Sequence, residues 1–164
     1  MVKEAEHWRT TDSEGRTMPW YTRGACAWLD TLDFNGKTVW EYGGGVSTLW
    51  YRDRGAKVSG VDTSLEWANL SGLMFIQEKQ AYISAISGIY DFICIDGEYR
   101  DDCFIYAINH LAEGGTIIID NWKQASAWGA DWPESERLIK ELNLKVTEYP
   151  QEGHPDWVTI TVTR

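Results

Sequence analysis

A mostly parallel α/β sheet, doubly wound by helices and ending in an antiparallel C-terminal strand, is the fold this sequence predicts. Three observations carry the prediction. Short strand patterns alternate with helical ones from residue 36 to the end of the chain. Two of the strands, Phe92-Ile93-Cys94-Ile95 and Ile117-Ile118-Ile119, are apolar on both faces, as strands lying between two helical layers must be. Glycines, or acidic and amide residues, follow the strands where the chain turns toward the next helix.

Taken in order, residues 1–35 read as an irregular, polar cover segment with a short helix around Trp20 to Leu32. Lys37 to Tyr42 is the first strand and runs into Gly43-Gly44-Gly45. Ser47 to Arg54 is helical and is closed by Gly55. Ala56 to Val61 is the second strand, ending at Asp62, and Ser64 is placed to cap a helix reaching Leu70. Leu73 to Gln77 is a short strand and Gln80 to Ile86 a short helix. Tyr90 to Ile95 is the strongest apolar strand and ends at Asp96-Gly97. A helix over Tyr99 to Leu111, stopped by Gly114-Gly115, leads to a strand over Thr116 to Ile119 that ends at Asp120-Asn121. Glu134 to Leu142 is the last helix, and Leu144 to Tyr149 and Val158 to Thr163 alternate like antiparallel edge strands. No repeat, low-complexity tract or linker interrupts the pattern, so residues 36–164 form one core.

Composition narrows the function. With 164 residues, 43% of them hydrophobic, the chain can bury a core without cross-links. Its 25 acidic residues against 15 basic ones give a net charge of -10, which disfavours nucleic acid as a partner. Cys26, Cys94 and Cys103 are odd in number and lack paired spacing, which argues for a reducing compartment. Cys94 reads as core packing and Cys103 as a helix-face residue. Met1 to Thr11 lacks the apolar stretch of a signal peptide, and no run approaches the roughly 18 apolar residues of a membrane span. The expectation is a cytoplasmic protein with no membrane partner.

In open α/β sheets ligands bind outside the carboxyl ends of the strands. Those ends carry Glu41 with Gly43, Gly44 and Gly45, then Asp62, Gln77 and Glu78, Asp96, and Asp120 with Asn121. Glycine there permits a tight turn and close approach of a ligand to the backbone. Asp62 stands 19 residues after Gly43, where a carboxylate can accept hydrogen bonds from both hydroxyls of a ribose. A dinucleotide fits less well. Gly43 and Gly45 match G-x-G-x-x-G, but Thr48 replaces the third glycine, and Glu41 would repel a pyrophosphate. A carboxylate at that point suits a cation, and S-adenosylmethionine carries a sulfonium and an ammonium without a phosphate.

Glu41-Tyr42-Gly43-Gly44-Gly45-Val46-Ser47-Thr48 resembles the E-x-G-x-G motif of class I S-adenosylmethionine-dependent methyltransferases. Gly60-Val61-Asp62, Tyr90-Asp91-Phe92-Ile93-Cys94-Ile95-Asp96-Gly97 and Leu111-Ala112-Glu113-Gly114-Gly115-Thr116 resemble the later motifs of that family, in the same order. The resemblance covers residues 36–164 and implies a Rossmann-like core. It further implies that Glu41 and the loop through Ser47 and Thr48 hold the methionine moiety and Asp62 the ribose. Gln77 or Glu78 would then lie near the adenine, with Trp67 packed beside it and Asp96, a catalytic candidate with His154, facing the cofactor.

Asp96 and Asp120-Asn121 end strands that should be neighbours, about 4.8 Å apart. Two carboxylates and an amide suit Mg²⁺ or Mn²⁺, and the arrangement resembles the metal site of catechol-type O-methyltransferases. The alternative is that Asp96 caps the next helix and Asp120 is an ordinary strand-end residue. Arg100 either orients a substrate or pairs with a nearby carboxylate. His154, in Gly153-His154-Pro155-Asp156-Trp157, is either a turn residue or a base at the rim of the site. The N/D-P-P-Y/F signature of DNA-amino methylation is absent after the fourth strand.

The chain has 10 tryptophans. Trp40 and Trp50 read as core. Trp20, Trp28, Trp122, Trp128 and Trp132 fall in segments adjoining the carboxyl edge, where rings either stack on a planar or sugar substrate or bury a homodimer contact. The expected activity is methyl transfer to an oxygen of a small molecule or glycan, with a divalent metal assisting. A catalytically inactive, methyltransferase-like scaffold subunit is the alternative.

Overall fold

The computed structural model describes residues 10–122 and 132–164. Helix α1 (Arg23–Asp30) precedes strand β1 (Thr38–Tyr42), and α2 (Val46–Asp53) leads to β2 (Lys57–Asp62). Helix α3 (Leu65–Ser71), strand β3 (Met74–Phe75) and helix α4 (Lys79–Ile83) follow. Then come β4 (Tyr90–Ile95), α5 (Arg100–Ala107), a 3₁₀ turn over Ile108–His110 and β5 (Leu111–Ile119). Helix α6 (Pro133–Glu141) and the hairpin of β6 (Lys145–Gln151) and β7 (His154–Thr163) complete the chain.

The seven strands form one sheet in the order β3-β2-β1-β4-β5-β7-β6. The first five are parallel and β7 runs antiparallel to both β5 and β6. Strand order therefore reverses between β1 and β4, which pair directly, and a crevice at such a switch point is where this architecture takes ligands.

Alternation along the strands sorts the core into two layers. Trp40, Tyr42, Ile93, Ile95, Ile117 and Ile119 face α4 and α5. Val39, Cys94 and Ile118 face the other way, onto α1 and α2. Residues before β1 are part of that second layer: Met18, Tyr21, Ala25, Cys26 and Leu29 are buried against Val39, Trp50 and Tyr51. Asp12 fastens the segment further, accepting from Trp50 Nε1 at 3.0 Å and from Arg16 Nε at 2.8 Å. The three cysteines are free and buried.

One element differs from expectation. The helix expected to run to Leu111 ends at Ala107, and Gly114-Gly115 do not stop it. They lie inside β5, where the register with β4 shifts between Tyr90 and Phe92. Two glycines gave the pattern of a helix stop, but sheet pairing absorbed them as a bulge. Ser64 caps α3 as expected, accepting from Trp67 N at 3.4 Å. No helix among the described residues is long and apolar enough to cross a membrane.

Candidate functional site at the strand ends

The carboxyl ends of β1, β2 and β4 are laced together by backbone. Gly43 N donates to Val61 O at 2.8 Å, and Asp96 N to Tyr42 O at 2.9 Å. Gly43 has φ +89°, and a Cβ added to it would come within 2.7 Å of Gly97 Cα. Only glycine allows the two turns to approach so closely. Gly45 lies under the Trp67 ring, which meets Trp20 edge-on at 6.2 Å. Trp20 is 46% exposed and Trp67 36%, so the pair forms an aromatic lip beside the loop.

Glu41 is fully buried at the end of β1. Its Oε2 accepts from Thr48 Oγ1, and that hydroxyl in turn accepts from Gly45 N at 3.1 Å. Oε1 has no hydrogen-bond partner among the described residues. Burial pushes this carboxyl up to about 7, against partial relief from the Ser47 and Thr48 hydroxyls. A buried carboxylate with one unsatisfied oxygen, wired to a glycine loop, is suited to a cationic ligand. The residues fit S-adenosylmethionine: Glu41 supplies the negative charge, Thr48 holds it to the loop, and the glycines leave the backbone open to close approach.

Asp62 is buried at the end of β2. Its Oδ2 accepts from Gly44 N at 2.8 Å and its Oδ1 from Ser64 N at 2.7 Å. The residue thus ties the glycine loop to the start of α3. One lone pair remains on each oxygen for a ribose hydroxyl. Gln77 is exposed after β3. Glu78, exposed as well, caps α4: its carboxylate accepts from Gln80 N at 2.9 Å and Ala81 N at 2.6 Å, and those bonds lower its pKa.

At the ends of β4 and β5 the expected metal position is filled by an arginine. Arg100, 9% exposed, opens α5 and turns its guanidinium back across both strand ends. It donates to Gly97 O at 2.8 Å, Asp120 O at 2.7 Å, Asn121 Oδ1 at 3.0 Å and Asp96 O at 3.2 Å, and lies 3.3 Å from Asp96 Oδ1. Asp120 Oδ1 accepts from Thr159 Oγ1 at 2.6 Å, and that oxygen accepts from Thr22 N at 3.1 Å. Burial raises both Asp96 and Asp120, with Arg100 opposing the rise.

These residues do not fit a divalent ion, which corrects the expectation for Asp96, Asp120 and Asn121. A cation there would have to displace the guanidinium or sit against it. Among the described residues no three His, Cys, Asp or Glu side chains are grouped to hold a metal. Neither Arg100's span nor the Thr159–Asp120 bond is visible in local sequence, because each joins residues far apart in the chain.

The remaining candidates divide. Trp40 and Trp50 are core, as expected. Trp28 stacks on Tyr149 at 5.8 Å and so packs against the outer strand β6 rather than the glycine loop. Trp122 packs on Trp132 at 4.7 Å beyond β5, and Trp132 is buried. Trp128 lies outside the described residues. His154 is exposed at the β6–β7 turn, its ring stacked on Trp157 at 5.2 Å.

Comparison with known proteins agrees with the topology. No family model and no curated protein matches the sequence. Among solved structures, a ribosomal protein L11 methylase from Lactobacillus delbrueckii subsp. bulgaricus superposes with a TM-score of 0.56 at 22% identity, over 79% of this chain and 71% of that one. The O-methyltransferase TomG from Streptomyces achromogenes, in complex with S-adenosylmethionine, gives 0.56 at 12% identity, over 79% and 74%. The Methanococcus jannaschii fibrillarin pre-rRNA processing protein gives 0.61 at 13% identity, over 85% and 73%. The chain carries the class I S-adenosylmethionine-dependent methyltransferase fold.

Proposed function

We propose that the protein transfers a methyl group from S-adenosylmethionine to an oxygen of a small-molecule or glycan acceptor. The observation that carries the cofactor half of this reading is Glu41: buried, bonded through Thr48 to the glycine loop, and with Oε1 unpaired. When bound, the cofactor supplies an electrophilic methyl on a sulfonium, open to in-line attack by an acceptor oxygen. The chain's own residues do the rest. Glu41 and the loop offset the ligand's positive charge, Asp62 fixes the loop and retains lone pairs for hydroxyls, and Trp67 with Trp20 walls one side. Asp96, raised by burial and held by Arg100, is the carboxylate set to take the acceptor's proton. The acidic surface supports a small or neutral acceptor over a polyanion.

Calorimetry with S-adenosylhomocysteine, followed by transfer of a labelled methyl to a panel of hydroxylated acceptors, tests both halves. Binding at micromolar concentration with label incorporation supports the reading; no binding overturns it. Binding without transfer to any acceptor favours the scaffold alternative. That alternative draws on Asp62, both of whose oxygens already serve the protein's own backbone.

A further inference from the structure

We propose that Arg100 is the built-in cation of this site. It replaces a divalent ion at the ends of β4 and β5, and it positions the glycine loop through Gly97. The guanidinium engages Gly97 O, Asp96 O, Asp96 Oδ1, Asp120 O and Asn121 Oδ1, which are oxygens of the kind a hard cation would take. An arginine keeps its charge at any working pH and offers a planar fork of donors, so it can hold two strand ends in one geometry without an exchangeable ion.

The consequence for the ligand side follows from contact. Arg100 Nε holds Gly97 O at 2.8 Å. Gly97 in turn lies against Gly43, whose Cα hydrogen faces it with no room for a methyl. The guanidinium therefore fixes the turn on which the glycine loop rests, and it acts through that turn as a positioning residue. Asp96 is held on the same fork, with its side chain 31% exposed.

The test has two arms. Mn²⁺ uptake is followed by electron paramagnetic resonance for the intact protein, Arg100→Ala and Arg100→Lys, and S-adenosylhomocysteine affinity is measured on the same samples with and without chelator. The intact protein is expected to take up no stoichiometric Mn²⁺, and its affinity should be unmoved by chelator. Arg100→Ala should gain a Mn²⁺ site and lose roughly tenfold in affinity, as the loss of charge-assisted bonds implies. Arg100→Lys should still exclude Mn²⁺ yet bind several-fold more weakly, since a point charge cannot span both strands.

One equivalent of Mn²⁺ on the intact protein, abolished by Asp96→Asn, overturns the proposal. So does a folded Arg100→Ala that takes up no Mn²⁺. If Arg100→Ala does not fold, Arg100→Lys decides, and unchanged affinity there overturns it. Only the affinity arm rests on the methyltransferase reading: if the intact protein binds no S-adenosylhomocysteine, that reading falls while the Mn²⁺ arm still judges Arg100.

Discussion

At the ends of β1 and β2, acidic groups are held by backbone and by small hydroxyls; at the ends of β4 and β5, a guanidinium holds the Asp96 carboxylate and the Asp120 backbone, and a threonine hydroxyl holds the Asp120 carboxylate. Glu41 meets Thr48 and keeps free lone pairs on Oε1, and Asp62 meets Gly44 N and Ser64 N. Asp96, Asp120 and Asn121 meet Arg100 and Thr159. In the first half Arg52 reaches Glu41 only through its field, without an ion pair, and the buried carboxyl stays costly to ionise. The second half carries its cation within the chain. A cationic ligand gains most where a carboxylate has no ion pair, so on the proposed function the cofactor would lie over β1 and β2 and the acceptor toward β4 and β5.

The seam between the two halves is the Gly43–Gly97 contact, and breaking it should have the largest effect. Gly43→Ala forces a Cβ into a position 2.7 Å from Gly97 Cα at a φ of +89°. Strain and overpacking together should cost about 2–4 kcal/mol. S-adenosylhomocysteine affinity should fall by roughly 100-fold, about 2.7 kcal/mol, as the loop is displaced. Urea unfolding and calorimetry measure the two effects. An alanine variant that binds within twofold of the parent would mean the loop does not contact the ligand.

Asp62→Ala ranks next. It leaves Gly44 N and Ser64 N without their acceptors, in a residue only 7% exposed. Two orphaned donors imply about 2 kcal/mol of lost stability and an affinity drop of roughly 30-fold. Asp62→Asn keeps one oxygen acceptor and should recover part of both. A loss of affinity without any loss of stability would show that the ribose contact, not the loop tie, is the main role.

The pattern of strands and the glycine turn were legible from sequence because parallel strands between helices must be apolar, and because a turn packed against the next strand end leaves no room for a side chain. Glu41, Asp62 and the Ser64 cap could be read for the same reason: each acts on residues within about 20 positions. What could not be read were long-range substitutions of one partner for another. Asp96, Asp120 and Asn121 have the chemistry of a metal set, and only the fold shows that Arg100 reaches all three. Glu78 reads as a residue near the adenine, and only the fold shows that its carboxylate also caps α4 with both oxygens. Gly114-Gly115 look like a helix stop until β4 pairs with Leu111 before them and Thr116 after them.

Glu41→Gln sharpens the comparison through pH. The Glu41 carboxyl is raised by burial to about 7 from an ordinary 4.5. Between those values the folded protein holds a proton that the unfolded chain has released. The contribution of Glu41 to stability is therefore fully present below about 4.5, and it falls as pH rises to about 7. Glu41→Gln should remove that part of the pH dependence, read as the difference in urea midpoint between acid and neutral buffer. The cationic ligand reverses the preference, because it needs the carboxylate. Affinity should then rise by up to about tenfold per pH unit below the raised pKa in the parent protein, and by less in Glu41→Gln. Parallel curves for the two proteins would show that the ligand does not sense this group.

His154→Ala should have the smallest effect, and the reason is distance along a strand. Ile160 of β7 pairs with Ile119, the last residue of β5, beside the strand end that carries Asp120. His154 lies six residues earlier on β7, which at about 3.3 Å per residue puts it roughly 20 Å beyond that level. Its ring is stacked on Trp157, three positions on, at 5.2 Å and 28°. A general base has to come within about 3 Å of the proton it removes. With the hairpin extended in this way, methyl transfer by His154→Ala should stay within about twofold of the parent and keep the same pH-rate limbs. Loss of one limb would mean that the hairpin folds down over the site once ligand is bound. The acceptor half would then draw its base from β7 instead of from Asp96.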